Sequence, residues 1–298
     1  MPVNFPFFGE TLALLCALFW AFAVILFKKS GETAHPLGLN LFKNLLALIL
    51  FIPTLLILKE PLIPRMRFCE FARFFASGIL GMAVGDTLFF MSLNRIGAGL
   101  SAIVGYMYSP LLISLSLIFL KESLTPLQIL GIALILFALF LTSQIRVPQN
   151  IPRKTLFIGI ILGVLSTLAT AVSIILIKPL LAQTSLLWAT AFRLLAGLMG
   201  VFFFILILPE RKRVLASAFI KKGLGYAIGG TVLGTYIALT IWLGGMKFTL
   251  VSVAAPLNQL SNIFIFILSA LILKEPVNFR RAIAIISAFT GALLVFIG

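Results

Sequence analysis

Carboxylates are scarce in this chain: eight Asp and Glu stand against 23 Lys and Arg in 298 residues, and there is a single histidine. That leaves little material for acid-base or metal chemistry, which needs several carboxylates or imidazoles at fixed spacing. No HExxH, no GxSxG, no cluster of His and Asp and no Walker A glycine-lysine loop occurs. The sequence is therefore read as neither an enzyme nor an ATP-driven pump, and it calls for no cofactor and no metal. The two cysteines, Cys16 and Cys69, have neither framework nor metal spacing and read as packing residues. The opening MPVNFPFFGE lacks a basic n-region and no small-residue cleavage site follows Phe27, so the first apolar run is expected to stay as a helix.

What is abundant is apolar surface. At 61% apolar and 10% charged residues the composition lies far outside the soluble range and marks an integral membrane protein. The net charge of +15 does not argue for nucleic acid, because the basic residues sit in short gaps between apolar runs and not along a stripe with interleaved aromatics. Ten runs reach, or nearly reach, the length that crosses about 30 Å of hydrocarbon. They are Thr11 to Phe27, Leu37 to Leu58, Phe74 to Leu93, Ile96 to Leu120, Leu127 to Thr142, Leu156 to Ile177, Leu186 to Leu208, Gly223 to Met246, Phe248 to Leu273 and Ala282 to Ile297. Lipid offers no partner to an open backbone group, so each run is predicted to be a helix.

The runs repeat. Ser116 to Ser123, SLIFLKES, returns as Ser269 to Pro276, SALILKEP, with Lys121 and Glu122 matched by Lys274 and Glu275. Such a charge pair closing an apolar run reads as a helix reaching water. Lys28 falls on Lys178 and Lys43 on Arg193. Gly81 and Gly85 fall on Gly230 and Gly234, a GxxxG pair in each half that predicts close helix packing. Five spans per half is an odd number, so the second half must enter the membrane from the other side. The predicted fold is all-α: ten transmembrane helices as two inverted five-helix repeats, 1–143 and 156–298, joined by a linker at 144–155. Inverted repeats are the usual build of secondary transporters, with the substrate site between the halves near the midplane.

Residue by residue, these motifs resemble the EamA-type branch of the drug/metabolite transporter superfamily. The resemblance is carried by ALLCALFWAFAVILFKKS, by LFKNLLAL with its basic residue, by SPLLISLSLIFLKESLTPLQILGIALILFAL, and by FRLLAGL and LILKEPVNF in the second half. It implies a central cavity and the export or exchange of small polar or amphipathic metabolites, often amino acids. It also implies cytoplasmic termini in a cell membrane, as in a bacterial inner membrane. Two features depart from the family. Pro110 stands twelve residues before Glu122, whereas Ile263 and Asn262 occupy the matching places before Glu275. The glutamate that small four-helix relatives hold eight residues before the lysine is here Trp20, and Thr170 in the second half, so that proton site is not inherited. The orientation conflicts as well: more basic residues, among them Arg211, Lys212, Arg213, Lys221 and Lys222, lie on the side away from both termini, which the positive-inside rule would make cytoplasmic.

Asp86 is the carboxylate set deep in a run, either a titrating coupling site or a neutral packing residue. Lys43 and Arg193 read as anion ligands or as side chains snorkelling to the surface. Trp20, Tyr106, Tyr108, Tyr236 and Trp242 would line a cavity or sit at membrane interfaces. Asn258 and Asn262, four apart, share a helix face with Gln259 beside them, and would bond a polar solute or a neighbouring helix. His35 is given no role. The partners expected are a small-molecule substrate and the lipid bilayer, without nucleic acid, and a homodimer is compatible with the sequence. An uncoupled facilitator or channel, and a non-transporting scaffold or sensor subunit, stay open as alternatives.

Overall fold

The computed structural model describes residues 7–142, 152–219, 221, 223–261, 263–264 and 279–298; the linker 144–151, Asn262 and the repeated Lys274-Glu275 lie outside them. The described residues are helical, with no strand among them. In chain order the helices are α1 Phe8–Gly31, α2 Pro36–Ile57, α3 Phe68–Gly97, α4 Tyr108–Leu120, α5 Pro126–Thr142, α6 Arg153–Leu181, α7 Leu186–Ile207, α8 Arg211–Ala218, α9 Leu224–Phe248, α10 Val251–Asn258 and α11 Phe279–Ile297. Six of them, α1, α2, α3, α6, α7 and α9, run 22 to 30 residues and are long and apolar enough to cross a bilayer. Three shorter apolar helices stand beside them within α4, α5 and α11.

The sides of the bundle reverse the pattern of a soluble protein. Small residues fill the interior, as with Ala13, Ala17, Ala21 and Ala23 of α1, while Ile57, Phe202, Phe203 and Phe204 face outward. This is the distribution expected when the surroundings are as apolar as leucine and helices associate by close packing.

The GxxxG pairs show where that packing is tightest. A Cβ on Gly81 would lie 2.7 Å from Ser173 Oγ, and one on Gly85 2.7 Å from Thr170 Oγ1, both on α6. On α9, a Cβ on Gly230 would meet the Phe27 ring at 2.9 Å and one on Gly234 would meet Ala23 Cβ at 2.7 Å, both on α1. The third helix of each half thus rests its glycines on the first helix of the other half. Both of these helices contain a π-helical stretch, Ile79–Gly85 in α3 and Thr231–Ala238 in α9. The Asp86 N–H bonds Gly81 O, five residues back, which inserts an extra residue into the turn and re-aims the side chains beyond it. α3 breaks at Gly97, whose φ of 75° glycine adopts without strain, and the chain is helical again from there to Gly105.

Beyond the apolar runs, α8 packs on the start of α2: Ser217 Oγ accepts from the His35 N–H, and His35 Nδ1 in turn accepts from Leu37 N–H at 3.3 Å as the cap of α2. Desolvation lowers the His35 pKa from 6.5; Glu210 pulls it up and Arg213 pushes it down. A depressed pKa means that folding favours the neutral ring, whose Nδ1 can accept. The cap's contribution is therefore complete above pH 6.5 and is lost as the pH falls through the lower folded-state value. Against a His35→Asn variant, whose cap does not titrate, the wild type should lose up to about 1 kcal/mol between pH 8 and pH 5, read from melting curves in detergent. Equal pH dependence of the two proteins would refute the cap assignment.

Candidate functional site

Lys43 and Arg193 stand at the same position in α2 and α7, each the eighth residue counted from Pro36 and from Leu186. Both point inward. The two helices enter from opposite ends of the bundle: α2 begins beside α8 and the end of α1, whereas α7 begins where Lys247 Nζ bonds Thr184 O. The paired cations therefore approach the centre from either side, and a cavity of about 200 Å³ lies between them.

Lys43 is matched by charge. Its Nζ donates to Asp86 Oδ2 at 2.6 Å and to Asn44 Oδ1 at 3.2 Å, and its side chain is 5% exposed against 22% for Asp86. The π-helical turn places Asp86 opposite α2, where Asn40 Nδ2 further ties the two helices by donating to Met82 O and Thr87 Oγ1. Arg193 is different. It is fully buried, its Nη2 donates to Ser173 Oγ at 3.3 Å, and its Nε and Nη1 meet no hydrogen-bond partner. The guanidinium passes over bare backbone at Gly81, where a Cβ would stand 3.2 Å from Nη2.

The remaining walls come from both halves. Trp20, Phe89, Tyr108 and Trp242 supply aromatic surface, with the Tyr108 and Trp242 ring centroids 6.3 Å apart. α6 contributes a row of hydroxyls, Ser166, Thr167 and Thr170, spaced to share a face. Ser166 Oγ is spent on Gly85 O and Thr170 Oγ1 on Ser166 O. From the end of α10 and just beyond come Asn258, Gln259 and Ser261; Gln259 Nε2 donates to Gly105 O at 2.6 Å, while Asn258 Oδ1 is buried without a partner.

Of the residues singled out in the sequence, Trp20, Lys43, Asp86, Tyr108, Arg193, Trp242, Asn258 and Gln259 share this cavity. Tyr236 does not. Its hydroxyl is 2.6 Å from Thr54 Oγ1 and its ring packs edge-on against Phe51, so it fastens α9 to α2. Of the two neighbouring tyrosines, Tyr106 packs among apolar residues while Tyr108, two positions on, lines the cavity. Asn262 falls outside the described residues. Thr167, Thr170 and Ser166 were not anticipated as lining residues, although a hydroxyl row at helical spacing inside an apolar run was there to be read. A larger hollow of about 680 Å³ at Leu206–Arg213 is formed by eight consecutive residues of one bend and gathers no group from another element.

One end of the bundle is tied together by bonds between distant parts of the chain. Glu122, just past α4, accepts from the Val251 and Ser252 N–H groups at 2.9 Å and from Ser252 Oγ at 2.7 Å, capping α10. Thr249 Oγ1 donates to Glu10 Oε1 at 2.5 Å, and Lys178 Nζ donates to the carbonyls of Met246 and Thr249. The Lys121-Glu122 pair was expected simply to mark a helix reaching water. Lys121 is exposed in that way, but Glu122 is not, because the first turn of α10 presents it with orphan N–H groups.

A charged cavity enclosed by apolar, bilayer-length helices, with walls drawn from two repeated halves, defines a membrane transporter. The chain belongs to the EamA-like transporter family, whose sequence pattern matches twice, over residues 7–144 and 157–297, the hallmark of the drug/metabolite transporter superfamily. A solved structure titled only "Crystal structure of protein" superposes with a TM-score of 0.77, covering 97% of this chain and 96% of that one at 16% identity. At that identity the likeness shows the fold alone. No individually curated protein matches the sequence.

Proposed function

We propose that the protein is a secondary transporter, a ten-helix inverted repeat of five helices per half, that exports or exchanges a small metabolite by alternating access to the cavity at Lys43, Asp86 and Arg193. The reading is carried by one observation: the cavity takes polar groups from both halves, and at one end of the bundle Glu10 and Glu122 of the first half bond Thr249, Val251 and Ser252 of the second. Rocking one half against the other would break the Glu10 and Glu122 bonds, which join the two halves, while the Lys178 bonds stay within the second half, and would expose the same cavity to the opposite side. Asp86 is the coupling carboxylate of this scheme. Protonating it would release Lys43, so proton entry and rearrangement of the site become one event. The protein resides in a cell membrane as a multi-pass chain, that of a bacterial inner membrane, with both termini cytoplasmic.

Purified protein in liposomes should take up a labelled metabolite with saturation, and metabolite preloaded on the far side should accelerate entry. Linear flux without counterflow would instead describe a channel.

A further inference from the structure

We infer that the cavity takes a small monocarboxylate with a short apolar body, its carboxylate on Arg193; the inference rests on the transport reading of the same cavity and names its substrate class. Among the described residues, the charged groups lining the cavity are Lys43, Asp86 and Arg193. Asp86 is committed to Lys43 at 2.6 Å, so that pair is neutral overall and Arg193 contributes one uncompensated positive charge.

Burying a cation without a partner is costly, and a guanidinium matches a carboxylate in both charge and donor geometry. Arg193 meets the condition: it is fully buried and lines the cavity, and two of its three nitrogens have no hydrogen-bond partner. Asn258 Oδ1, also unpartnered, is a second buried polar atom of the same cavity and would accept from a hydroxyl on the ligand. Trp20, Phe89 and Trp242 supply the surface for an apolar body.

Volume and charge narrow the choice. A 150 Å³ cavity holds benzene, so about 200 Å³ suits a ligand of about eight to ten non-hydrogen atoms. A zwitterion of that size would bring an ammonium to a site whose carboxylate is already paired, and a cation would meet the net positive charge directly.

The test uses the full-length protein in detergent at pH 7.5 and fixed ionic strength, with benzoate, phenylalanine and phenethylamine as probes in a thermal-shift titration. Benzoate should stabilise at concentrations at least about tenfold lower than the other two, the ratio expected for one added charge-assisted pair. Arg193→Gln should abolish the benzoate shift, and Arg193→Lys should keep part of it. Phenylalanine or phenethylamine binding as well as benzoate, or an Arg193→Gln protein that still binds benzoate, overturns the inference. If Arg193→Gln fails to fold, the ranking of the three probes on the wild type decides alone. Counterflow in liposomes separates this inference from the transport reading. Benzoate that binds through Arg193 but never exchanges leaves the carboxylate site standing and removes the transport reading, whereas phenylalanine counterflow without benzoate binding does the reverse.

Discussion

Asp86→Asn should melt well below the wild type and should carry no pH-driven flux. The stability loss stems from the partner left behind: Lys43 is 5% exposed, and removing one member of a buried ion pair costs about 3 to 5 kcal/mol because the other charge stays uncompensated. Asp86 retains 22% exposure, so the low end of that range, about 3 kcal/mol, is expected. Asn is nearly isosteric with Asp, so shape alone would leave folding intact. The 2.6 Å contact with Lys43 changes that expectation, since the amide can accept a hydrogen bond but cannot neutralise the ammonium. A second substitution, Lys43→Met on top of Asp86→Asn, should recover most of the melting temperature and none of the pH-driven accumulation. Thermal melts together with liposome uptake under an imposed pH gradient read both quantities. An Asp86→Asn protein that still concentrates substrate under the gradient would reduce Asp86 to a pairing residue.

The parts of the site that the sequence disclosed are those governed by simple periodicity. Lys43 and Arg193 were found by register, and they occupy equal places because their helices begin equally, at Pro36 and Leu186. Gly81, Gly85, Gly230 and Gly234 were likewise legible, since a missing side chain in an apolar run has few uses besides close approach. Which aromatic faces inward was not legible. Tyr106 and Tyr108 differ by two residues, about 200° around a helix of 3.6 residues per turn, and the break at Gly97 together with the turn at Tyr106 and Met107 resets the phase between them. Tyr236 lies inside the π-helical stretch of α9, where the ordinary period of about 3.6 residues fails and counting along the sequence does not give the face.

Glu122 was hidden for another reason. A Lys-Glu pair after an apolar run has an obvious local meaning, and the N–H groups that it serves lie 129 and 130 residues further along the chain. Nothing in the local pattern announces a partner so distant. The same limit applies to Glu10, which stands just before the first apolar run yet accepts from Thr249, 239 residues away. Contacts of this kind tie one end of the bundle together, and in the proposed alternating-access scheme they would set how readily that end opens.

Glu122→Ala should therefore loosen that end. The carboxylate accepts three hydrogen bonds, two of them from the first turn of α10, where a negative charge also meets the positive end of the helix dipole. Losing hydrogen bonds to a charged group costs about 1.5 to 3 kcal/mol each before water replaces them, so a net loss of about 3 kcal/mol is expected. If the seal distinguishes the closed from the open arrangement, that loss appears as a population shift: about 3 kcal/mol changes the open fraction roughly a hundredfold. Val253, 1% exposed and one residue past the Glu122 contacts, is the place to read it. In a Cys16→Ala, Cys69→Ser background, which removes the exposed thiol and the thiol that lines the cavity, a cysteine introduced by Val253→Cys should react with a soluble maleimide at least about ten times faster when Glu122 is Ala. Glu122→Gln should fall between, since its amide oxygen can still accept from one of the α10 N–H groups while its NH2 cannot accept at all. Labelling at wild-type speed in a Glu122→Ala protein whose melting temperature has dropped would mean that the contact stabilises α10 without holding the end closed, and the gate would then have to be sought at Lys178 and Thr249.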